Sequence, residues 1–156
     1  MRLSKRSEYG LKAAVRLATH HGYGSNGGAA HGNGVGGGRY LQSREIADAE
    51  RMPPKFLESV LLSLRSAQIL VSKVGAGGGY RLSRSPELIR VHEVIDALER
   101  ENPEARVDEM PEHAAGHRAL GVLHRRLDDA VAGALGTLTL GELVDLCESG
   151  AGAGQG

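Results

Sequence analysis

Gly75, Gly77, Gly78 and Gly79 lie between two short apolar runs, Ile69 to Val74 and Tyr80 to Leu82, with Lys73 and Arg81 on the flanks. Glycine admits positive φ and, lacking a Cβ, lets the backbone approach another surface closely. Phosphate is one such surface, and the two cations suit it. His113 and His117 stand at i and i+4, a spacing that puts both on one helix face and within chelating distance of a transition metal. Their ordinary state is a pair of solvated histidines at a helix start, and no metal is assigned to them. Cys147 is the only thiol, which excludes an internal disulfide and cannot by itself hold zinc or an iron–sulfur cluster. Within a helix it is expected to be a small buried residue. Residues 22 to 38 hold nine glycines in seventeen. They lack the Gly-x-x-x-x-Gly-Lys-Ser/Thr spacing of a phosphate cradle and no helix follows at once, so they read as a flexible tether.

The charge is unevenly divided. Residues 1 to 90 carry 14 Lys and Arg against 6 Asp and Glu, a net of +8, and residues 91 to 156 carry 5 against 13, a net of −8. A basic N-terminal half is the footprint expected for a polyanionic partner, with the acidic half kept away from it. One Phe, four Tyr and no Trp leave an aliphatic core and argue against an aromatic-lined ligand pocket. The longest uncharged apolar runs, such as residues 60 to 64, fall far short of the roughly 20 residues of a membrane span. Lys5, Arg6, Glu8 and Lys12 interrupt any signal-peptide pattern, and a cytoplasmic protein with no membrane partner is expected.

Periodicity places the elements. Leu11, Ala14, Val15 and Ala18 predict a helix from Ser4 to His21, capped by Ser4 or Ser7 and ended by Gly22. Tyr40 and Leu41 predict a short strand, and Ser43 caps a helix from Arg44 to Glu50. Met52-Pro53 breaks it, and Pro54 opens the next helix at a position where a missing N–H costs nothing. From Pro54 to Ala67, Phe56, Leu57, Val60, Leu61 and Leu64 line one side. Two helices joined by a tight turn form a helix-turn-helix, and a hairpin directly behind one is the wing of a winged helix. Arg84 to Glu87 predicts a turn, and Val91 to Glu99 a short helix. Residues 100 to 112 read as an exposed acidic loop. A long helix from His113 to Gly136 carries Leu120, Leu123, Leu127, Ala130 and Ala134 at coiled-coil spacing, with Val131 beside them. Burial of that seam against a second copy predicts a homodimer. Leu138 to Glu148 forms the last helix and residues 149 to 156 a disordered tail.

The fold class is thus mainly α with a small β-hairpin wing: a winged helix-turn-helix over residues 1–90 with an insertion at 22–38, then a helical dimerisation and sensing region over 91–148.

The segments MRLSKRSEYGLKA, LQSREIA, PPKFLESVLLSLRSAQIL, GAGGGYRL, VHEVIDALE and LTLGELV together resemble the Rrf2 family of bacterial winged-helix regulators. Only the 22–38 insertion, the 100–117 loop and the tail fall outside the resemblance. It implies a homodimeric regulator that binds palindromic double-stranded operators, with the long helix at the dimer interface. Carried onto this sequence, it places Ser4, Lys5 and Tyr9, and also Gln42 and Ser43, against the phosphate backbone. Lys55, Phe56, Glu58 and Ser59 face the major groove, with Pro54 and Arg65 in the same DNA-facing set; Glu58 has the chemistry to accept from a cytosine amino group. Gly77, Gly78, Lys73 and Arg81 bring the wing to the DNA. Many relatives carry Arg before the first wing glycine, where this chain has Val74. Cluster-binding relatives use three loop cysteines, and residues 100 to 121 contain none. An iron–sulfur cluster is therefore unsupported and no cofactor is expected.

The resulting expectation is a sequence-specific DNA-binding transcription regulator, a repressor, with no enzymatic activity and an unknown effector. Two alternatives are a winged-helix module that binds another protein, and a metal-sensing regulator using the loop histidines.

Overall fold

The computed structural model describes residues 3–21, 38–100 and 115–151. Residues 1–2, 22–37, 101–114 and 152–156 lie outside them, and with them most of the expected tether, most of the expected acidic loop, His113 and most of the expected tail.

Six α-helices, a two-stranded antiparallel sheet and one 3-10 turn follow in the order α1 (Lys5–Thr19), α2 (Ser43–Glu50), α3 (Pro54–Ser66), β1 (Leu70–Lys73), β2 (Gly79–Leu82), the turn Pro86–Leu88, α4 (Val91–Glu99), α5 (Ala115–Leu135) and α6 (Leu140–Ala151). Leu70 pairs with Leu82 and Lys73 with Gly79, so the wing closes over five residues. Leu41 bridges to Tyr80 on the outer edge of β2, through bonds of 2.9 and 2.7 Å in the two directions.

The starts of the helices are fixed locally. Ser4 is extended and its hydroxyl accepts the Ser7 N–H at 3.1 Å, the expected N-cap. At α2 the expectation fails by one residue, because Gln42 is the cap and Ser43 the first helical residue. Glu45, three residues on, accepts the Gln42 backbone N–H at 2.7 Å, so the carboxylate arm of a capping box fixes the start. Thr139 caps α6 reciprocally: its hydroxyl accepts from Glu142 N–H at 3.1 Å and its own N–H donates to the Glu142 carboxylate at 2.9 Å. That helix runs to Ala151, three residues past the expected end at Glu148. With no proline to stop it, each added residue gains a backbone bond at small cost.

The core is aliphatic, as the aromatic count required. Leu57, Val60, Leu61 and Leu64 of α3 are fully buried, and α1 contributes Ala13, Ala14, Leu17 and Ala18. Leu11 and Val15, expected on the inner stripe of α1, are only half-buried at its edge. The same core continues past residue 90 through Val91, Val94, Ile95 and Leu98 of α4 and Leu140 and Val144 of α6. α4 and α6 both pack on α1. Gly10 permits the α1–α4 approach, for a Cβ there would lie 2.0 Å from Leu98 Cδ1. At the opposite seam, Val91 N–H donates to Leu138 O and Leu140 N–H to Ile89 O at 2.9 and 2.8 Å, stitching the start of α4 to the start of α6. α5 is exposed along most of its length. Cys147 is exposed on α6, not buried as expected: it shares a helix face with Leu140 and Val144, but α6 runs beyond the core after Val144 and residues 145–150 are all exposed.

Candidate nucleic-acid interface

The α2–α3 turn sets the direction of the second helix. Arg51 adopts the left-handed region at φ 52°, Met52 is buried beneath the turn, and Pro54 supplies the first helical position. With Leu57, Val60, Leu61 and Leu64 directed inward, the opposite face of α3 is left to Lys55, Glu58, Leu62 and Arg65, all exposed. Their spacings of three, four and three residues make one continuous stripe along the helix. The wing lies beside its far end, where the Arg65 guanidinium donates to Ser72 Oγ of β1 at 3.3 Å.

Other members of the expected set are occupied within the fold. Phe56 is half-buried, its ring edge-on to Tyr9 at 5.3 Å and 80°. The Ser59 hydroxyl donates to Phe56 O at 3.0 Å and accepts from Arg6 at 2.9 Å. Ser4 and Ser7 both donate to the same carboxylate oxygen of Glu99, so the start of α1 is pinned to the end of α4. Lys5 is exposed and pairs with Glu8 at 2.9 Å, and the hydrogen bond and charge of Glu8 hold its ammonium above the ordinary lysine value. Gln42 and Pro54 are exposed and Ser43 half-exposed at the starts of α2 and α3.

Four expected residues sit on the wing. Lys73 and Gly77 are exposed, and Gly77 has φ +69°. Gly78 is buried: its N–H donates to Gly75 O at 3.0 Å, and a Cβ would lie 2.3 Å from Lys73 O. Its role is to close the turn. Arg81 stacks its guanidinium 4.7 Å from the Tyr40 ring centre, and its buried Nε has no hydrogen-bond partner. Among the described residues, neither Lys55 nor Lys73 forms an ion pair with a carboxylate, whereas Arg84 is committed to Glu93 and Arg39 to Glu45. Val74 projects from the wing tip at 96% exposure.

Sequence reading missed Leu62 and Tyr40. Leu62 was legible, since it falls four residues after Glu58 on the outer face. Tyr40 was not, because its contact with Arg81 spans 41 positions and arises only when the segment before α2 pairs with β2.

Away from this surface, Leu120, Leu123 and Leu127 of α5 are exposed at 45, 52 and 40%. Ala130 and Ala134 are exposed on the same line and Val131 is half-exposed.

A helix-turn-helix followed by a two-stranded wing, with a polar stripe on the second helix, defines a winged helix-turn-helix protein. The Rrf2 family, described as "Iron-dependent Transcriptional regulator", matches residues 34–146, and the chain belongs to that family of transcriptional regulators. The regulator CymR of Bacillus subtilis is 29% identical over 143 residues, 92% of this chain and 89% of CymR. The solved structure of CymR, titled the global cysteine regulator of B. subtilis, superposes with a TM-score of 0.61 at 26% identity, covering 94% of this chain and 98% of that one. The T. potens IscR structure shares the fold at a TM-score of 0.66 and 23% identity, covering 96% of this chain and 90% of that one. Some relatives are longer: the match to Rv1287 of Mycobacterium tuberculosis, 29% identical, takes in 64% of this chain and 52% of that protein, so the chain spans about half of that relative's length.

The family description implies iron. Cys147 is the single thiol of the chain and stands exposed on α6, and among the described residues no three His, Cys, Asp or Glu side chains converge on a metal-holding position. His117 lies on α5, and His113 lies outside the described residues. The described residues do not form an iron site. Nor, among the described residues, is any helix long and apolar enough to cross a membrane.

Proposed function

We propose that this chain is a repressor that binds palindromic double-stranded operators as a homodimer in the cytoplasm, without enzymatic activity. One observation carries the reading: an exposed stripe of Lys55, Glu58 and Arg65 on the second helix stands beside a wing that Arg65 itself touches. Phosphate contacts from Lys55, Lys73, Arg65 and Arg81, with the exposed starts of α1, α2 and α3, supply affinity and its salt dependence. Glu58 supplies direct readout, accepting from a cytosine amino group at the floor of the major groove. Its carboxylate also repels phosphate, which favours seating at the base edges over indiscriminate backbone contact.

The apolar line on α5 is the surface for a second copy, and pairing there sets two reading helices about one helical turn apart, roughly 34 Å. The reading assigns no iron–sulfur cluster, supported by the single cysteine; iron and sulfide content of anaerobically purified protein checks that assignment. The test of function is fluorescence anisotropy of the full chain on duplexes selected from a random pool, beside scrambled controls, over a series of salt concentrations. Specific binding exceeding the control by about 10³ and falling steeply with salt is expected. Weak, salt-insensitive binding without selection of any sequence overturns the reading in favour of a protein-binding module.

A further inference from the structure

The stripe on α3 contains one residue that neither phosphate attraction nor hydrogen-bond readout employs. Leu62 is 50% exposed, while Leu57, Leu61 and Leu64 of the same helix are fully buried. The core is therefore complete without it. A lone exposed leucine on a protein surface ordinarily needs no explanation. This one lies between Glu58 and Arg65, one turn from each, on the face that the DNA-binding reading directs into the major groove.

We infer that Leu62 reads the 5-methyl group of a thymine; the inference rests on the DNA-binding reading above. Among the groups that base pairs present in the major groove, that methyl is the apolar one; the others are the N7, O6 and O4 acceptors and the N4 and N6 amino donors. Leucine against the methyl buries two apolar surfaces. Against an amino group or a ring nitrogen it displaces water and returns no hydrogen bond, which is unfavourable. The residue thus selects thymine by attraction and rejects the other bases by desolvation. Position follows from helix geometry. Four residues separate Glu58 from Leu62, about 6 Å of rise, and successive base pairs are 3.4 Å apart along the DNA axis. The thymine read by Leu62 lies about two base-pair steps from the pair read by Glu58.

The test uses the full chain and the duplex that it selects from a random pool. Each thymine in turn is replaced by deoxyuridine, which removes the methyl and leaves every hydrogen-bonding group in place. Affinities are measured for the unmodified protein and for Leu62→Ala, with thermal unfolding of both as a control for folding. One thymine in each half-site is expected to weaken the unmodified protein about fourfold when replaced, the worth of roughly one buried methyl. Leu62→Ala binds the thymine and uracil duplexes equally. If the protein selects a sequence but no thymine methyl matters, or the methyl matters equally to both proteins, the role of Leu62 is overturned while DNA reading stands. If no sequence is selected, the DNA reading itself fails and this inference fails with it.

Discussion

Gly79 and Arg81 sit two residues apart on β2 and are constrained for opposite reasons. Gly79 has φ +135°, and a Cβ there would lie 2.2 Å from the carbonyl oxygen of Leu41, so neither the backbone conformation nor the available space admits a side chain. Gly79→Ala is expected to pull Leu41 away from Tyr80 and to destabilise the protein by about 2 kcal/mol or more, read as a lowered urea midpoint. Arg81 is constrained from outside by the Tyr40 ring. Stacking restricts a long side chain before any ligand arrives, so less entropy is lost on contact with a phosphate. Arg81→Ala is expected to weaken binding to all sequences alike and to lower the salt-dependence slope by about one, measured by anisotropy across a salt series. Tyr40→Ala would weaken binding in the same sequence-independent way with the cation still present.

Each element is held by groups that a linear reading finds only in part. The α2 helix, its turn and α3 were legible because their determinants are local: an apolar period of 3.6, a polar residue at the start of α2 and a proline at the first turn of α3. The cap itself was misplaced by one residue: Ser43 has the better capping side chain, but Gln42 takes the position because Glu45 returns to its backbone N–H. That bond holds the Glu45 carboxyl below its ordinary value, with Arg39 adding to the effect. A depressed folded-state pKa means that the stabilisation is complete above the unfolded value and is lost as pH falls through the folded one. Protection of the Gln42 amide, measured as its exchange rate relative to that of an unstructured amide at the same pH, should therefore fall below about pH 4.3, a pH dependence that Glu45→Gln removes. The clamp of Ser4 and Ser7 on Glu99 joins residues more than 90 positions apart, and no periodicity announces it. Because Ser7 is fully buried, Glu99→Ala leaves a hydroxyl without its acceptor, and a loss of about 1–3 kcal/mol in chemical denaturation is expected. On α5, Leu123→Asp with Leu127→Asp alters side chains already exposed in the single chain. Sedimentation equilibrium should report a monomer whose circular dichroism is unchanged.

At the scale of the whole molecule, one hydrophobic core spans the N-terminal helix-turn-helix and the C-terminal helices. The division near residue 90 is visible in the charge, +8 before it and −8 after it, but not in the packing, where Leu140 and Val144 lie in the same cluster as Ala14 and Leu57. Charge reports which surfaces face a polyanion, and periodicity reports which face of a helix is buried, but neither names the partner against which it is buried. Leu140 is fully buried, so Leu140→Ala is expected to cost about 2–5 kcal/mol. Tyrosine emission, which comes entirely from residues up to Tyr80, and far-ultraviolet circular dichroism should shift together in one transition. The seating of α6 on α1 also orders events on the ribosome. A nascent chain that has extruded α1, α2, α3 and the wing still lacks Leu140 and Val144, so the reading head cannot close its core until α6 has emerged as well. Competence to bind DNA then arises only once α6 has been made, and a chain truncated before α6 would be born without it.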